Sequence, residues 1–297
     1  MSDRDRPRHA AIDPNRVQAA FVEQELGGDG QLVDVATLLT TGRECIFDCV
    51  FCDLWRHTLP GPTPHGAIVR QLDAVLPTLP PAKWIKLYNA SNWFDATAVP
   101  PADWPAIADR LRPFERVIVE NHPKLCTEAV PRFRDLLDGQ LEVAIGLESI
   151  DPRVLPRLNK SMTADDAARA LERLRGWGID VRAFVLVPPP FVEAPVPSTI
   201  DTVRWAFERG VEVVSLLPLR PDQMNASTAT LTAEERSTIR RPSIEEVAAV
   251  LANCRISLPR RLFVDAWDAS DWCDAAAVAK LANWNLTQRP PRDFAVQ

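Results

Sequence analysis

The chain is expected to be an α/β protein, a partial (β/α)6 barrel with an extension at each end, and three observations lead there. From residue 33 onward short apolar runs alternate with longer amphipathic ones, the pattern of βα units around a parallel sheet. Six such units can be counted. With 297 residues, 46% of them hydrophobic, the chain has enough apolar material for one barrel-sized core. A doubly wound open sheet satisfies the same alternation and stays as the alternative. The division expected is an N-terminal extension over residues 1–32, the barrel over 33–255 and a C-terminal extension over 256–297.

Taken in order, residues 16–26 carry apolar positions at helical spacing, and Gly27-Gly28-Asp29-Gly30 is a break or turn. Strands are expected over 33–41, 84–89, 116–120, 141–147, 180–187 and 211–217. Helices are expected near 66–79, 101–112, 127–137, 163–177, 198–209 and 243–254. The best defined is 163–177. There Thr163 and Asp166 have capping-box spacing, Ala167, Ala170, Leu171, Leu174 and Trp177 share one face, and Gly178 can end the helix in a left-handed conformation. Ser198 with Asp201 and Ser243 with Glu246 repeat the opening device. Residues 218–242 are polar and aperiodic, the mark of a long loop. A short strand near Leu262 and a tryptophan-rich tail follow.

Composition excludes several classes. The first residues are charged and polar, so no secretory signal is expected, and no apolar run reaches membrane-spanning length. A cytoplasmic protein without membrane contact is therefore expected. A net charge of −6 and a pI near 5.4 argue against broad electrostatic attraction to nucleic acid, which rests on phosphate neutralisation. Six cysteines are too few for a disulfide framework in a chain of this length.

Three of them lie together as Cys45-Ile-Phe-Asp-Cys49-Val-Phe51-Cys52. A closed zinc site needs four ligands and usually takes them as two separated pairs, whereas a 4Fe-4S cluster held by three cysteines keeps one iron open for chemistry. No second pair exists, since Cys126, Cys254 and Cys273 are isolated. The competing reading is a non-catalytic zinc module that takes His57 or His65 as its fourth ligand. In parallel α/β architectures the site gathers where strands end, and the triad follows the first expected strand of the barrel.

Other residues occupy the same rim. Asn89 and Ser91 end the second expected strand, where they suit a turn as well as a ligand. Glu120 and Glu148 end the third and fourth, and an acid after an apolar strand must reach solvent, a cation or donors. His122 reads as a polar loop residue. Cys254 is in phase with Val247 and Leu251 and reads as packing; Trp267, Trp272 and Trp284 read as core or lid packing.

The spacing Cys-x3-Cys-x2-Cys, with Phe51 just before the third cysteine, resembles the signature of the radical S-adenosylmethionine (SAM) superfamily. The resemblance implies a partial barrel, a 4Fe-4S cluster on Cys45, Cys49 and Cys52, and SAM chelated at the open iron. It further implies reductive cleavage to a 5'-deoxyadenosyl radical, and an electron donor such as flavodoxin or ferredoxin. By the same resemblance Phe51 lies against adenine, Asn89 and Ser91 stand where the family holds the SAM amino group, and Glu148, in Gly146-Leu147-Glu148, stands where an acid positions SAM, with Glu120 a further candidate. Lys160, in Leu158-Asn159-Lys160, would face a SAM carboxylate or an anionic substrate. These runs, with Val187-Pro-Pro-Pro190-Phe191, look like the branch that contains archaeosine-biosynthesis and elongator-type radical SAM proteins, which act on tRNA nucleosides. A small molecule or peptide is the other substrate class, and oligomeric state is unspecified.

Overall fold

The computed structural model describes residues 12–224, 231–254 and 256–289. Residues 1–11 of the expected N-terminal extension, 225–230 of the expected loop, Arg255 and the end of the tail lie outside them. The described residues form one eight-stranded sheet in sequence order. Strand β1 (Ala19–Leu26) pairs antiparallel with β2 (Leu32–Leu39). The rest run parallel: β3 (Trp84–Tyr88), β4 (Arg116–Asn121), β5 (Gln140–Glu148), β6 (Asp180–Val187), β7 (Val213–Pro218) and β8 (Arg261–Val264). The six expected strands are β2 to β7, so the barrel reading holds, with one strand added at each edge.

Helices fill the crossovers, as parallel pairing requires: α1 (Ala67–Val75), α2 (Trp104–Leu111), α3 (Ala129–Arg134), α4 (Val154–Arg157), α5 (Ala164–Gly176), α6 (Pro195–Glu208), α7 (Ala233–Ser237) and α8 (Ile244–Asn253), and α9 (Ala275–Thr287) follows β8. Helix α5 has the expected Thr163–Asp166 capping box and buries Ala167, Ala170, Leu171 and Leu174; each leucine contributes roughly 1.5–3 kcal/mol of transfer free energy. Gly178 follows at φ 68°. The Ser243–Glu246 box opens α8. Ser198 opens nothing: α6 starts earlier with Pro195 in its first turn, where proline's missing N–H costs no bond. The segment expected to be loop over 218–242 contains α7, opened by a Thr232–Glu235 capping box.

The expected helix over 16–26 is instead strand β1. Its alternation sends Glu23 and Glu25 into the lumen, where Lys86 lies 2.8 and 2.7 Å from them and Arg182 bonds Glu25. Partners 60 to 160 residues away thus outweigh a local helical pattern. Arg182 also bonds Glu142 at 2.8 Å, and Arg116 joins Glu142 to Asp180 at 3.0 and 2.6 Å. This ionic layer spans β1, β3, β4, β5 and β6 and shows the curl of the sheet, because β1 and β6 meet across the lumen. The outer strand faces, such as Val117, Val119, Val143 and Val185, pack against the helices in the main apolar core.

The outer edge of β8 meets side chains of α9 in place of another strand. Asn285 accepts from Val264 N at 2.9 Å and donates to Val264 O at 2.8 Å, Gln288 accepts from Leu262 N, and Trp284 donates to Leu262 O. Helix α9 also packs on β1, so it bridges the two edges of the curled sheet while its side chains cap the edge of β8. No helix among the described residues is long and apolar enough to cross a membrane.

Candidate cofactor site at the C-terminal mouth of the barrel

Cys45, Cys49 and Cys52 lie in the loop after β2, at the C-terminal end of the strands. Its two ends are tied by a bridge between Arg43 and Leu59, with Glu44 N donating to Leu59 O at 2.9 Å and Leu59 N to Gly42 O at 2.8 Å. The middle is anchored on the connection after β5. Val50 N donates to Leu158 O at 2.9 Å and Asn159 Nδ2 to Asp48 O at 2.8 Å. Val50 also buries its side chain in a second apolar cluster with Val154, Leu158, Leu186 and Phe191, against which Phe51 packs.

Burial pushes all three thiols up, Cys49 to about 11 and Cys52 to about 12. Each sits close enough to the others for their charges to interact. Among the described residues no group of three His, Cys, Asp or Glu is drawn together as a ready-made metal site. A metal binds cysteine as thiolate, so its binding would deprotonate these thiols. The structure thus places Cys45, Cys49 and Cys52, the three residues expected to hold the cluster, on one anchored loop at the mouth of the barrel.

The other expected residues surround this loop. Glu120, at the end of β4, lies under the turn after β3: its carboxylate accepts from Asn89 N at 2.6 Å and also from the N–H groups of Ala90 and Ser91. Burial pushes the carboxyl up to about 7 although those three N–H groups favour its charge. Glu120 thus shapes the Asn89–Ser91 turn, in which Ala90 has φ 54°. Asn89 Oδ1 accepts from Ser91 N at 3.2 Å, which leaves its buried amide nitrogen without a hydrogen-bond partner among the described residues.

Glu148 sits at φ 62° in a bulge of β5, a conformation that re-aims a side chain. It receives Lys160 Nζ at 2.8 Å, with both side chains buried. Lys160 also lies 5.7 Å from the Phe51 ring. Burial works against the lysine's charge, and the neighbouring Glu148 outweighs it and holds the ammonium above its ordinary pKa. Gly146 makes the pair possible: a Cβ there would lie 2.5 Å from Lys160 Nζ and 2.6 Å from Glu148 Oε1. Gly146→Ala is expected to displace that pair at a cost of about 1–3 kcal/mol, read by urea unfolding.

His122 is a strut. Its ring stacks on Phe47 at 3.8 Å and 23°. Nδ1 accepts from Lys124 N at 3.1 Å, so Nε2 carries the proton and donates to Lys160 O at 2.9 Å. Burial, with Lys160 nearby, pushes this imidazole down to about 3, and it stays neutral. Sequence reasoning missed Phe47, Asn92 and Asn159 as anchors of the cysteine loop, because each acts through a contact with a distant element. Cys273 lies apart, ahead of α9, donating to Ala269 O at 3.1 Å; Cys126 and Cys254 are core residues. Of the tryptophans expected to pack, Trp284 is buried, Trp272 is half-buried and Trp267 is 75% exposed, resting on Arg220 at 5.6 Å.

Among the buried polar atoms without a hydrogen-bond partner in the described residues, three belong to side chains expected at this site: Asn89 Nδ2, Ser91 Oγ and Glu148 Oε2. A buried orphan costs about 1–3 kcal/mol, so three together mark a place where a ligand supplies the partners. The set fits an amino-acid end, with a carboxylate for an ammonium, and an amide N–H and a hydroxyl for a carboxylate. At the opposite end of the barrel a cavity of about 650 Å³, lined by Lys83, Trp84, Arg116, Glu212 and Arg261, contains none of these residues.

Residues 39–203, more than half of the chain, match the radical SAM superfamily. The chain belongs to the radical SAM superfamily. The cofactors of that superfamily are a 4Fe-4S cluster and SAM, and the three cysteines and three orphaned polar atoms fit both. Among curated relatives the chain is 20% identical over 235 residues to an uncharacterized protein of Methanocaldococcus jannaschii, covering 73% of this chain and 64% of that one. It is 21% identical over 225 residues to archaeosine synthase subunit beta of Methanosarcina acetivorans, covering 71% and 64%. The radical SAM chain thus spans a little under two thirds of the length of both. Among solved structures, methylornithine synthase aligns over 85% of this chain and 72% of its own, with a TM-score of 0.55 at 10% identity, a likeness of fold alone.

Proposed function

We propose that this radical SAM protein holds a 4Fe-4S cluster on Cys45, Cys49 and Cys52, cleaves SAM reductively, and acts on a nucleoside of tRNA. The observation that carries the proposal is the set of orphaned atoms on Asn89, Ser91 and Glu148, in the same mouth as the three cysteines. The cluster with SAM supplies one chemistry, an electron that breaks a carbon–sulfur bond to give a 5'-deoxyadenosyl radical.

The chain's own residues bind, orient and exclude water. Glu148, held by Lys160, offers its free oxygen to an ammonium, and Asn89 and Ser91, expected from the sequence to hold the amino group, instead offer donors to a carboxylate, because the unpartnered Asn89 atom is its amide nitrogen. Glu120 keeps their turn in place through backbone N–H groups. Phe51, packed beside Lys160, gives an apolar face for a flat ring. The tRNA reading is supported by the relative named archaeosine synthase subunit beta. With a net charge of −6, contact with RNA would be local.

Anaerobically reconstituted protein is expected to bind four irons and four sulfides, and to release 5'-deoxyadenosine from SAM after reduction by dithionite or a flavodoxin-type donor. Zinc without iron, and no cleavage, would favour the non-catalytic zinc module. Comparing tRNA nucleosides and metabolites from cells with and without the protein tests the substrate: a missing modified nucleoside is expected, whereas an unchanged nucleoside profile with an altered metabolite would move the assignment to a small molecule.

A further inference from the structure

We propose that Asn92 is a positioning residue for the cluster, an amide donor to the Cys45 sulfur that raises the reduction potential; the proposal rests on the cluster assignment above. Asn92 lies in the connection after β3 and is 2% exposed. Its Nδ2 lies 3.1 Å from Cys45 Sγ, and its Oδ1 accepts from His122 N at 2.7 Å.

The second contact decides the meaning of the first. A backbone N–H can only donate, so the atom facing His122 must be the carbonyl oxygen, and the NH2 group must therefore face sulfur. The orientation of His122 is itself determined, through the stack on Phe47 and the bonds at both ring nitrogens. Phe47 N adds a second, longer donor to the same sulfur at 3.4 Å. Cys45 thus sits in a pocket of N–H dipoles whose main member is anchored by His122, directly after β4.

Hydrogen bonds to ligand sulfurs withdraw electron density from a cluster and stabilise its reduced form, which carries one more negative charge. Asn92 supplies such a bond from a buried position, where a dipole is less screened than in water. A purely structural role for Asn92 would affect retention of the loop and leave the potential alone.

The test is an EPR-monitored redox titration of reconstituted protein without SAM or substrate, comparing wild type with Asn92→Leu and Asn92→Asp. The leucine removes the donor. The aspartate keeps an acceptor for His122 N but turns an oxygen toward sulfur. The midpoint is expected to fall in both, further in Asn92→Asp, at unchanged iron content. Asn159→Ala, which loosens the loop without touching a sulfur, is expected to lower iron retention and leave the midpoint in place. In wild-type protein carrying 15N-asparagine, pulsed EPR of the reduced cluster is expected to show coupling to an amide nitrogen, so the proposal stands or falls even if the variants do not fold. Unchanged midpoints in iron-replete variants, or no asparagine coupling in wild type, would overturn the role of Asn92 while leaving the cluster assignment intact. A protein that assembles no cluster would overturn both.

Discussion

Replacing any one of Cys45, Cys49 or Cys52 with alanine is expected to abolish both the iron–sulfur chromophore and SAM cleavage. A cluster with one open iron has no spare protein ligand, and no other cysteine is at hand: Cys126 and Cys254 are buried in the core, and Cys273 is tied to Ala269 O ahead of α9. The loop is anchored independently of its sulfurs by Val50, Asn159 and the Arg43–Leu59 bridge. The variants should therefore fold, and circular dichroism should match wild type. The comparison variant is Cys273→Ala, expected to keep full iron and cleavage. Iron and sulfide analysis with 5'-deoxyadenosine release reads both outcomes. An iron-replete, cleaving Cys49→Ala protein would remove the triad from the cluster assignment.

The second large effect is on stability. Arg182→Leu is expected to cost about 3–5 kcal/mol, because it leaves Glu25 and Glu142 buried with part of their positive partner gone. Burial would push the Glu25 carboxyl up, and the Arg182 and Lys86 charges outweigh it, holding the carboxyl well below its ordinary value. A carboxyl depressed in the folded state contributes stability above its unfolded pKa, about 4.3, and that stability drains as pH falls below it. Wild type should therefore lose stability on acidification below pH about 4. Arg182→Leu should start lower and show a shallower acid limb, since the depression it relieves is the source of the slope. Urea unfolding at pH 7 and along a series down to pH 3 checks both, and an unchanged acid limb would remove Glu25 as its source.

How much of this could be read in advance follows from the range of the interactions involved. The six central strands, α5 with its capping box and left-handed Gly178, and the cysteine spacing were readable because each depends on residues within one turn, one strand or one short loop. Strand β1 was not. Its residues satisfy a helical period, and only Lys86 and Arg182 on other strands make alternation the better arrangement. Glu120 was placed at the right rim and its partners were not foreseen: it serves the Asn89–Ser91 turn through backbone donors that no spacing rule encodes.

Local order in the chain was enough to establish the αβ alternation, the family signature and the end of the barrel where the three cysteines lie, since covalent spacing alone dictates which side chains share a loop. Tertiary folding decided the rest. It chose a strand for β1 and a bulge that turns Glu148 toward Lys160. It made α9 the cover for the open edge, and it anchored the Asn92 amide so that its donor faces Cys45. The physical reason is the same in each case. Buried charges and buried polar groups need partners, and in this fold the partners come from strands and loops far apart in sequence, so their pairing exists only once the sheet has curled.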